Sequence, residues 1–348
     1  MPFQRFARIT LALLLALSSV LAGCSRQDPA TLAGAWPVAD SERTVPKPAG
    51  LERWPLSGMP AEGADTSIRP VSIKIENSPA ARPQSALQLA DVVYESLTEG
   101  SITRFNAIFH SNSPQVVGPV RSARQSDVYI VPQYHALFAH VGGNSQVIAN
   151  VRAAPIDDLD QFYNPGPYWR SSDRPRPHNM YTSVPKLREL GSQKGYDETV
   201  DLRGFLYELA PTDSEPQITE ITIPFAPGNV ARWVYDPEAG VYKRFHASTP
   251  HSDAVTGEQI TARNVVVLWA KHSTMSYRDV TGSPTLDIML NGTGRCSVFR
   301  DGQRFDGVWR TDGDAPPTFT TEDGEPIRLA PGNTWIQVVK TSVSISMQ

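Results

Sequence analysis

The first 23 residues determine where the rest of this chain has to fold. Arg5 and Arg8 precede an apolar stretch at residues 9–22, and small residues close it at Ala22 and Gly23. A positive start, a short apolar core and small residues before a cleavage site are the marks of a secretory signal peptide. The apolar core is shorter than the roughly 20 residues that a membrane-spanning helix needs. We therefore predict that residues 1–23 are a signal peptide and that the mature chain folds outside the cytoplasm.

The signal ends in Leu21-Ala-Gly-Cys24, which resembles the lipobox of bacterial lipoproteins. In that class the cysteine thiol receives a lipid, and cleavage leaves the cysteine as the first residue. The resemblance implies that Cys24 carries fatty acid, such as palmitate, and that it anchors the chain to a membrane of the cell envelope. The alternative is a plain signal peptide with a chance cysteine.

The two cysteines limit how the fold can be stabilised. Once Cys24 is acylated, Cys296 has no partner, so no disulfide framework is available. Cys296 is expected to be a small buried residue in a strand. The net charge of −4 comes without any basic run, which gives no indication of nucleic-acid binding. No motif for a cofactor is found either.

Composition and patterning divide the mature chain into three parts. Residues 24–67 hold six prolines and little apolar periodicity, which predicts a flexible linker. Residues 68–212 mix strand and helix patterns and are predicted to form an N-terminal α+β domain. Residues 213–348 carry almost only strand patterns and are predicted to form a mostly antiparallel C-terminal β domain. The expected fold class is therefore α+β.

Three local patterns give more detail. Apolar and polar residues alternate from Val71 to Glu76, which is the period of a strand with one buried face. Asp301-Gly302 lies between two strand patterns and is a strong hairpin signal. Gly100-Ser101 suggests another two-residue hairpin turn, between strands at 91–98 and 103–109.

That second hairpin would bring charged side chains together. A two-residue turn places Leu97 opposite Arg104, while Glu95 and Glu99 lie on the same face as Leu97. Arg104 would then be diagonal to both glutamates, within reach of an arginine side chain. Two further cations nearby are Arg121 and Arg124.

This cluster has three interpretations. It can be a structural ion-pair network. It can be a pocket for an anionic or polar ligand, because arginine forks suit carboxylate and phosphate groups. It can also be a catalytic pair of carboxylates, Glu95 and Glu99, with His178 as a general acid or base. His178 and the adjacent Asn179 can equally serve to fix a proline-rich loop.

Several motifs, in order along the chain, resemble the YerB-like lipoprotein family. They include residues 69–77, 81–87, 90–95, 99–104, Gly118-Pro-Val-Arg-Ser-Ala-Arg124, Pro177-His-Asn-Met-Tyr-Thr-Ser183, His251-Ser-Asp253 and Gly332-Asn-Thr-Trp335. The likeness covers about residues 68–340. It implies a lipoprotein with an N-terminal α+β part and a β-rich C-terminal part, and it implies no particular reaction.

The leading hypothesis is a non-catalytic envelope lipoprotein that binds a small polar ligand, cell-wall material or a protein partner through the N-terminal cluster. The alternative is a hydrolase or transferase acting on cell-wall or glycan material through Glu95, Glu99 and His178. A weaker pattern in the second half is His246, His251 and Asp253, which could ligate a metal or simply form a polar turn.

Overall fold

The structure is a computed structural model that describes residues 52–210, 214–278 and 282–348. The predicted signal peptide, Cys24 and residues 24–51 of the predicted linker lie outside the described residues. The α-helices of the described chain are α1 (Asp127–Ile130), α2 (Ser145–Ala153) and α3 (Val184–Gln193). The strands of the first half are β1 (Val71–Glu76), β2 (Val92–Leu97), β3 (Thr103–Phe109), β4 (Leu137–Ala139), β5 (Asp157–Asp158), β6 (Trp169–Arg170) and β7 (Met180–Tyr181). The strands of the second half are β8 (Glu220–Ala226), β9 (Asn229–Asp236), β10 (Val241–His246), β11 (Thr249–Pro250), β12 (Thr261–Ala262), β13 (Asn264–Ala270), β14 (His272–Arg278), β15 (Pro284–Ile288), β16 (Gly292–Arg300), β17 (Gln303–Thr311), β18 (Thr318–Thr320), β19 (Thr334–Lys340) and β20 (Ser346–Met347).

The predicted α+β class is confirmed. The three helices lie in the first half, and the second half consists of strands that pair mostly antiparallel. The hairpin predicted at Asp301-Gly302 is also present, with Arg300 of β16 opposite Gln303 of β17. Both turn residues have positive φ angles, 51° and 69°, as a two-residue hairpin turn of this hand requires.

The main sheet combines strands from both halves of the chain. Its ten strands run in the order β18-β17-β16-β13-β19-β2-β3-β1-β4-β5. β19 lies between β13 and β2 and pairs parallel with both. The segments on either side of the boundary predicted at residue 212 therefore share one sheet, because β19, near the end of the chain, pairs with β2 of the first half.

A smaller sheet, in the order β11-β10-β9-β8-β20 with β12 paired to β10, packs on one face of the main sheet. Its Trp233 meets Trp335 of β19 edge to face, with ring centroids 5.2 Å apart. Both tryptophans are fully buried in the same core as Ile73 and Phe105. We call this side of the main sheet the sandwich face.

The opposite side of the main sheet, the helix face, is covered by α1, α2 and their connections. Ile130 and Val147 pack there with Val92 and Ile108 in a second buried core. These helices cover the helix face as the small sheet covers the sandwich face. Both faces of the main sheet are therefore removed from water.

This double cover corrects the expectation that β1 has one solvent-facing side. All six of its residues are buried, including the polar ones. On the helix face, Lys74 Nζ donates to Asp127 Oδ1 at 2.7 Å, and both side chains are inaccessible to solvent. The polar alternation of β1 therefore marks a buried network rather than a wet surface, because α1 brings a carboxylate to meet the lysine.

The predicted linker also ends earlier than residue 67. Leu56 is fully buried in the helix-face core, and Trp54 contacts His110 edge to face at 4.9 Å between ring centroids. Residues 53–60 form a short turn closed by an Arg53–Pro60 bridge. The proline-rich composition predicted a linker here, although Trp54 and Leu56 are buried in the folded part.

Candidate functional site

The hairpin between β2 and β3 has a different register from the predicted one. Thr103 lies opposite Leu97, and Arg104 lies opposite Ser96. The turn is longer than two residues, because Thr98 N donates to the carbonyl oxygen of Ile102 across Glu99–Ser101. A shift of one residue moves a side chain to the other face of a sheet. Arg104 therefore points to the helix face, beside Glu76 of β1, and is separated from Glu95 by the sheet.

Glu95 belongs to the sandwich face and forms a buried ion pair. Its Oε2 accepts from Arg244 Nη2 at 2.7 Å, and its Oε1 accepts from Asn77 and Thr103. The Arg244 guanidinium also lies 4.9 Å from the ring centroid of Trp335. Desolvation lowers the pKa of Arg244, and the Glu95 charge opposes this effect. Because both side chains are inaccessible to solvent, this pair links the two sheets and is not available to a ligand.

On the helix face, a second group of charges reaches the surface at the end of β1. We call Glu76, Ser78, Arg121 and His178 the Glu76 cluster. Glu76 is 2% exposed, and its Oε1 accepts from Ser78 Oγ at 2.7 Å and lies 2.9 Å from His178 Nδ1. Arg121 Nε lies 3.3 Å from Glu76 Oε2. The side chains of Arg121 and His178 are 24% and 23% exposed, so the cluster opens to solvent through a guanidinium and an imidazole.

More cations surround this cluster than its carboxylates can balance. Arg124 is paired with Glu99 at 2.6 Å, and buried Arg104 donates to the carbonyl oxygen of Ser122 at 3.0 Å. Desolvation, with the charges of Arg124 and Arg121 adding to it, lowers the pKa of Arg104 well below its usual value. Desolvation lowers the pKa of Arg170, and the charges of Arg176 and Arg121 add to this effect. The positive region therefore continues along the surface. Glu76 pairs with Arg121 and Glu99 with Arg124, which leaves Arg104 without an ion-pair partner among the described residues.

Asn179 positions the loop that carries His178. Its Oδ1 accepts from Arg170 Nη1 at 2.8 Å, and its Nδ2 donates to the carbonyl oxygen of Ser171 at 2.8 Å. These bonds hold the short β6–β7 pair together. Asn179 therefore acts on the site through the backbone of its neighbour and not by reaching the surface itself.

The structure brings some of the predicted site residues together and separates others. Arg104, Arg121, Arg124, Glu99 and His178 all belong to the helix-face region. Glu95 lies on the sandwich face, so the set Glu95, Glu99 and His178 does not converge on one position. Paired carboxylate chemistry would need two carboxyl groups facing one cleft.

His246, His251 and Asp253 also take separate roles. Asp253 accepts hydrogen bonds from the backbone N–H groups of Ala86, Gln88 and Val255 and so fastens the second half of the chain to the loop after β1. The two imidazole rings lie 4.2 Å apart between centroids. Across residues 52–210, 214–278 and 282–348, no group of three or more His, Cys, Asp or Glu side chains is arranged to hold a metal ion.

Sequence reasoning did not select Glu76, Arg82 or Arg244. A signal for Glu76 was present, since the polar run Glu76-Asn77-Ser78 closes a strand and polar residues at strand ends line binding sites. No local pattern marks Arg244, whose partner Glu95 is far away in the chain.

Comparison with known proteins agrees with this architecture. The N-terminal domain model of the family described as "Protein of unknown function (DUF3048)" matches residues 56–197, and its C-terminal domain model matches residues 221–336. The chain belongs to this family. The resemblance to YerB-like proteins predicted from the motifs is therefore confirmed.

Within this family, a Bacillus subtilis (strain 168) protein named "Putative lipoprotein YerB" is 32% identical over 300 residues, which are 85% of this chain and 88% of that protein. The crystal structure of YerB from Bacillus subtilis matches with a TM-score of 0.75 at 31% identity and covers 85% of this chain and 99% of that chain. In the described part of the present chain, no helix has the length and apolar character to cross a bilayer.

Proposed function

We propose that this chain is a lipid-anchored binding protein of the cell envelope, and that the Glu76 cluster with its surrounding arginines holds an anionic group of the phosphate or carboxylate class. The observation that carries the proposal is the pairing of a buried carboxylate with a partly exposed imidazole and guanidinium, in a region where cations outnumber anions.

The orientation of His178 supports a binding role. Its Nδ1 faces the buried carboxylate of Glu76, which fixes the ring and the tautomer. Its Nε2 makes no hydrogen bond to any described residue and is free to meet a ligand. In the tautomer with hydrogen on Nδ1, Nε2 accepts a hydrogen bond and suits a hydroxyl group or a protonated oxygen of the ligand.

Arg121 supplies the second contact. Its Nε lies 3.3 Å from Glu76 Oε2 in an ion pair without hydrogen-bond geometry, and no described residue accepts from its two Nη groups. The Nη groups of an arginine beside a carboxylate present their N–H donors in one plane, which suits bidentate recognition of phosphate or carboxylate. The surplus of positive charge from Arg170 and Arg176 would draw anions towards this point.

The geometry supports binding better than catalysis. The nearest hydroxyl, Ser78 Oγ, donates to Glu76 and lies 3.4 Å from His178 Nδ1, the nitrogen that is already engaged. Activation of a serine nucleophile needs the base nitrogen itself to accept from the hydroxyl. Glu99 is likewise neutralised by Arg124. Among the described residues of the Glu76 cluster, neither an activated serine nor a second converging carboxylate supports the hydrolase alternative.

The membrane anchor rests on the lipobox at Leu21–Cys24 and on the relative whose name describes it as a lipoprotein.

The test is titration of the detergent-solubilised full chain with inorganic phosphate and, separately, with citrate. Calorimetry gives the affinity, and shifts of the imidazole resonances of His178 report whether the anion binds at the Glu76 cluster. Arg121→Gln is expected to weaken binding roughly tenfold, the effect of losing one charge-assisted hydrogen bond. Arg304→Gln removes an arginine from an exposed pair with Asp306 and serves as the matched control.

The proposal is contradicted if neither anion moves the His178 resonances at millimolar concentration. It is equally contradicted if Arg121→Gln and Arg304→Gln bind both anions with the same affinity as the unaltered chain.

A further inference from the structure

A cavity of about 450 Å³ lies on the other side of β1 from the Glu76 cluster. It is bounded by the loop at Arg82-Pro83, the β8–β9 turn at 228–230 and the β10–β11 hairpin with His246 and His251. We call it the hairpin cavity. Its walls come from both halves of the chain, and small-molecule sites commonly form at such junctions.

The tautomer of His251 can be read from its neighbour. Gln84 Nε2 donates to the carbonyl oxygen of Glu76 at 2.8 Å and to Asn77 Oδ1 at 3.2 Å, which fixes its amide. Gln84 Oε1 therefore faces His251 Nε2, at 2.7 Å, as an acceptor. The hydrogen of the neutral ring is then on Nε2, and Nδ1 keeps a lone pair.

That lone pair has no partner. His251 is 2% exposed, and no described residue donates to its Nδ1. Leaving a buried acceptor unsatisfied costs about 1–3 kcal/mol, so proteins rarely do so without a reason. Because His251 lines the cavity, a donor group of a ligand placed there would satisfy it.

His246, next to His251 in the cavity wall, also has a buried ring nitrogen without a partner. This nitrogen is Nε2, and the His246 ring is tilted 45° to that of His251. Burial, with the Arg244 and Arg82 charges adding to it, lowers the pKa of both imidazoles. Each neutral ring keeps one nitrogen acceptor, which is Nδ1 in His251 and one of the two nitrogens in His246, and the neighbouring guanidinium groups make a metal cation unfavourable there.

Arg82 gives the cavity its charge. Its Nε and Nη2 donate to Asn77, and no carboxylate among the described residues forms an ion pair with it. Arg244 is different, because Glu95 neutralises it. Burial lowers the pKa of Arg82 to about 10, so it remains a cation at neutral pH and faces the cavity without a counter-ion.

We propose that the hairpin cavity binds a small polyhydroxylated anion, such as a sugar acid or a sugar phosphate. Arg82 takes the carboxylate or phosphate, and hydroxyl groups of the ligand donate to the free ring nitrogens of His246 and His251. A neutral sugar lacks the group for Arg82, and a simple anion lacks the donors for the two imidazoles. This site is separate from the Glu76 cluster.

The experiment titrates the detergent-solubilised full chain with glucuronate and with glucose 6-phosphate, and uses glucose as the neutral control. Long-range ¹H–¹⁵N spectra follow the imidazole nitrogens of each histidine, and calorimetry gives the affinity. We expect at least one of the two anions to shift the His246 and His251 resonances, and glucose to bind at least tenfold more weakly.

Two variants test the contacts. Arg82→Gln and His246→Phe are each expected to weaken binding at least tenfold, and the phenylalanine keeps the ring packing while it removes the nitrogens. His272→Phe is the matched control, since His272 also has a buried Nε2 without a partner but lies at the start of β14, outside the cavity lining.

The proposal is overturned if neither anion moves the His246 and His251 resonances at millimolar concentration, or if glucose binds as tightly as the anions. It is also overturned if Arg82→Gln and His246→Phe leave the affinity of the bound anion unchanged. Shifts confined to His178 would overturn this site while supporting the Glu76 cluster, and shifts confined to His246 and His251 would support this site alone.

Discussion

Replacing Asp127 with asparagine should make the stability of this protein depend on pH. Asp127 Oδ1 accepts from Lys74 Nζ at 2.7 Å and from Asn106 Nδ2 at 3.1 Å, and its Oδ2 accepts from Arg124 N at 2.7 Å. Asparagine keeps the volume but removes the charge, and one of its two side-chain atoms becomes a donor that faces a donor. Breaking a buried pair by removing one partner costs about 3–5 kcal/mol.

The pH dependence follows from Lys74. Desolvation already lowers its pKa in the folded protein, and the Asp127 charge opposes this. Without Asp127, the folded-state pKa of Lys74 falls further, while the unfolded chain keeps a value of about 10.4. Between those two values the unfolded chain binds more protons, so the free energy of unfolding rises with pH. The penalty of Asp127→Asn should be largest below the folded pKa and should shrink as the pH rises through it.

Chemical denaturation at pH 6 and at pH 9.5 measures this effect. Asp236→Asn is the control, because Asp236 pairs at 2.6 Å with Lys243, whose side chain is 43% exposed, and such pairs contribute at most about 1 kcal/mol. Lys74→Met combined with Asp127→Asn should recover part of the loss, since no unpaired charge remains. An Asp127→Asn penalty below about 1 kcal/mol, or one that is equal at both pH values, would refute the reasoning.

Three further predictions concern other parts of the chain. The protein purified from membranes should begin at Cys24 and carry the added mass of acyl chains, and Cys24→Ser should lack that mass in the mass spectrum; an unmodified native Cys24 would contradict the anchor. Trp233→Ala should lower the free energy of unfolding by about 3–5 kcal/mol, because it opens a cavity between the two sheets, whereas a loss below 1 kcal/mol in denaturant titration would contradict that packing. Cys296 should react with an aromatic disulfide reagent only after unfolding, because burial raises the pKa of its thiol to about 12; rapid labelling of the native protein, followed by absorbance, would disprove this.

Features that depend on neighbouring residues could be predicted from the sequence. The turn at Asp301-Gly302 follows from the positive φ angles that these residue types tolerate, and β13 follows from a run of apolar β-branched residues. The concentration of helices in the first half and of antiparallel strands in the second is also a sum of local patterns. Each of these requires only the geometry of a few consecutive residues.

The register of the β2–β3 hairpin shows where that reasoning fails. Gly100-Ser101 suits a two-residue turn, yet the tertiary structure uses a longer one and moves Arg104 to the face opposite Glu95. Local turn preference differs little between the two registers. The two registers differ in which side chains enter each core, because the two-residue turn would place Arg104 on the sandwich face and Phe105 on the helix face, so packing decides.

The sequence alone determined the periodicities, the turn residues and the N-terminal signal motif, since each depends on the conformational preferences of adjacent residues. Only the tertiary structure decided that β1 has two buried faces, that Glu95 meets Arg244, and that Glu76 with His178 opens on one side of the sheet while His251 faces a cavity on the other. The physical reason is that the Lys74–Asp127, Glu76–His178 and Glu95–Arg244 contacts join residues 53, 102 and 149 positions apart, and their energies depend on burial that no short stretch of chain can create by itself.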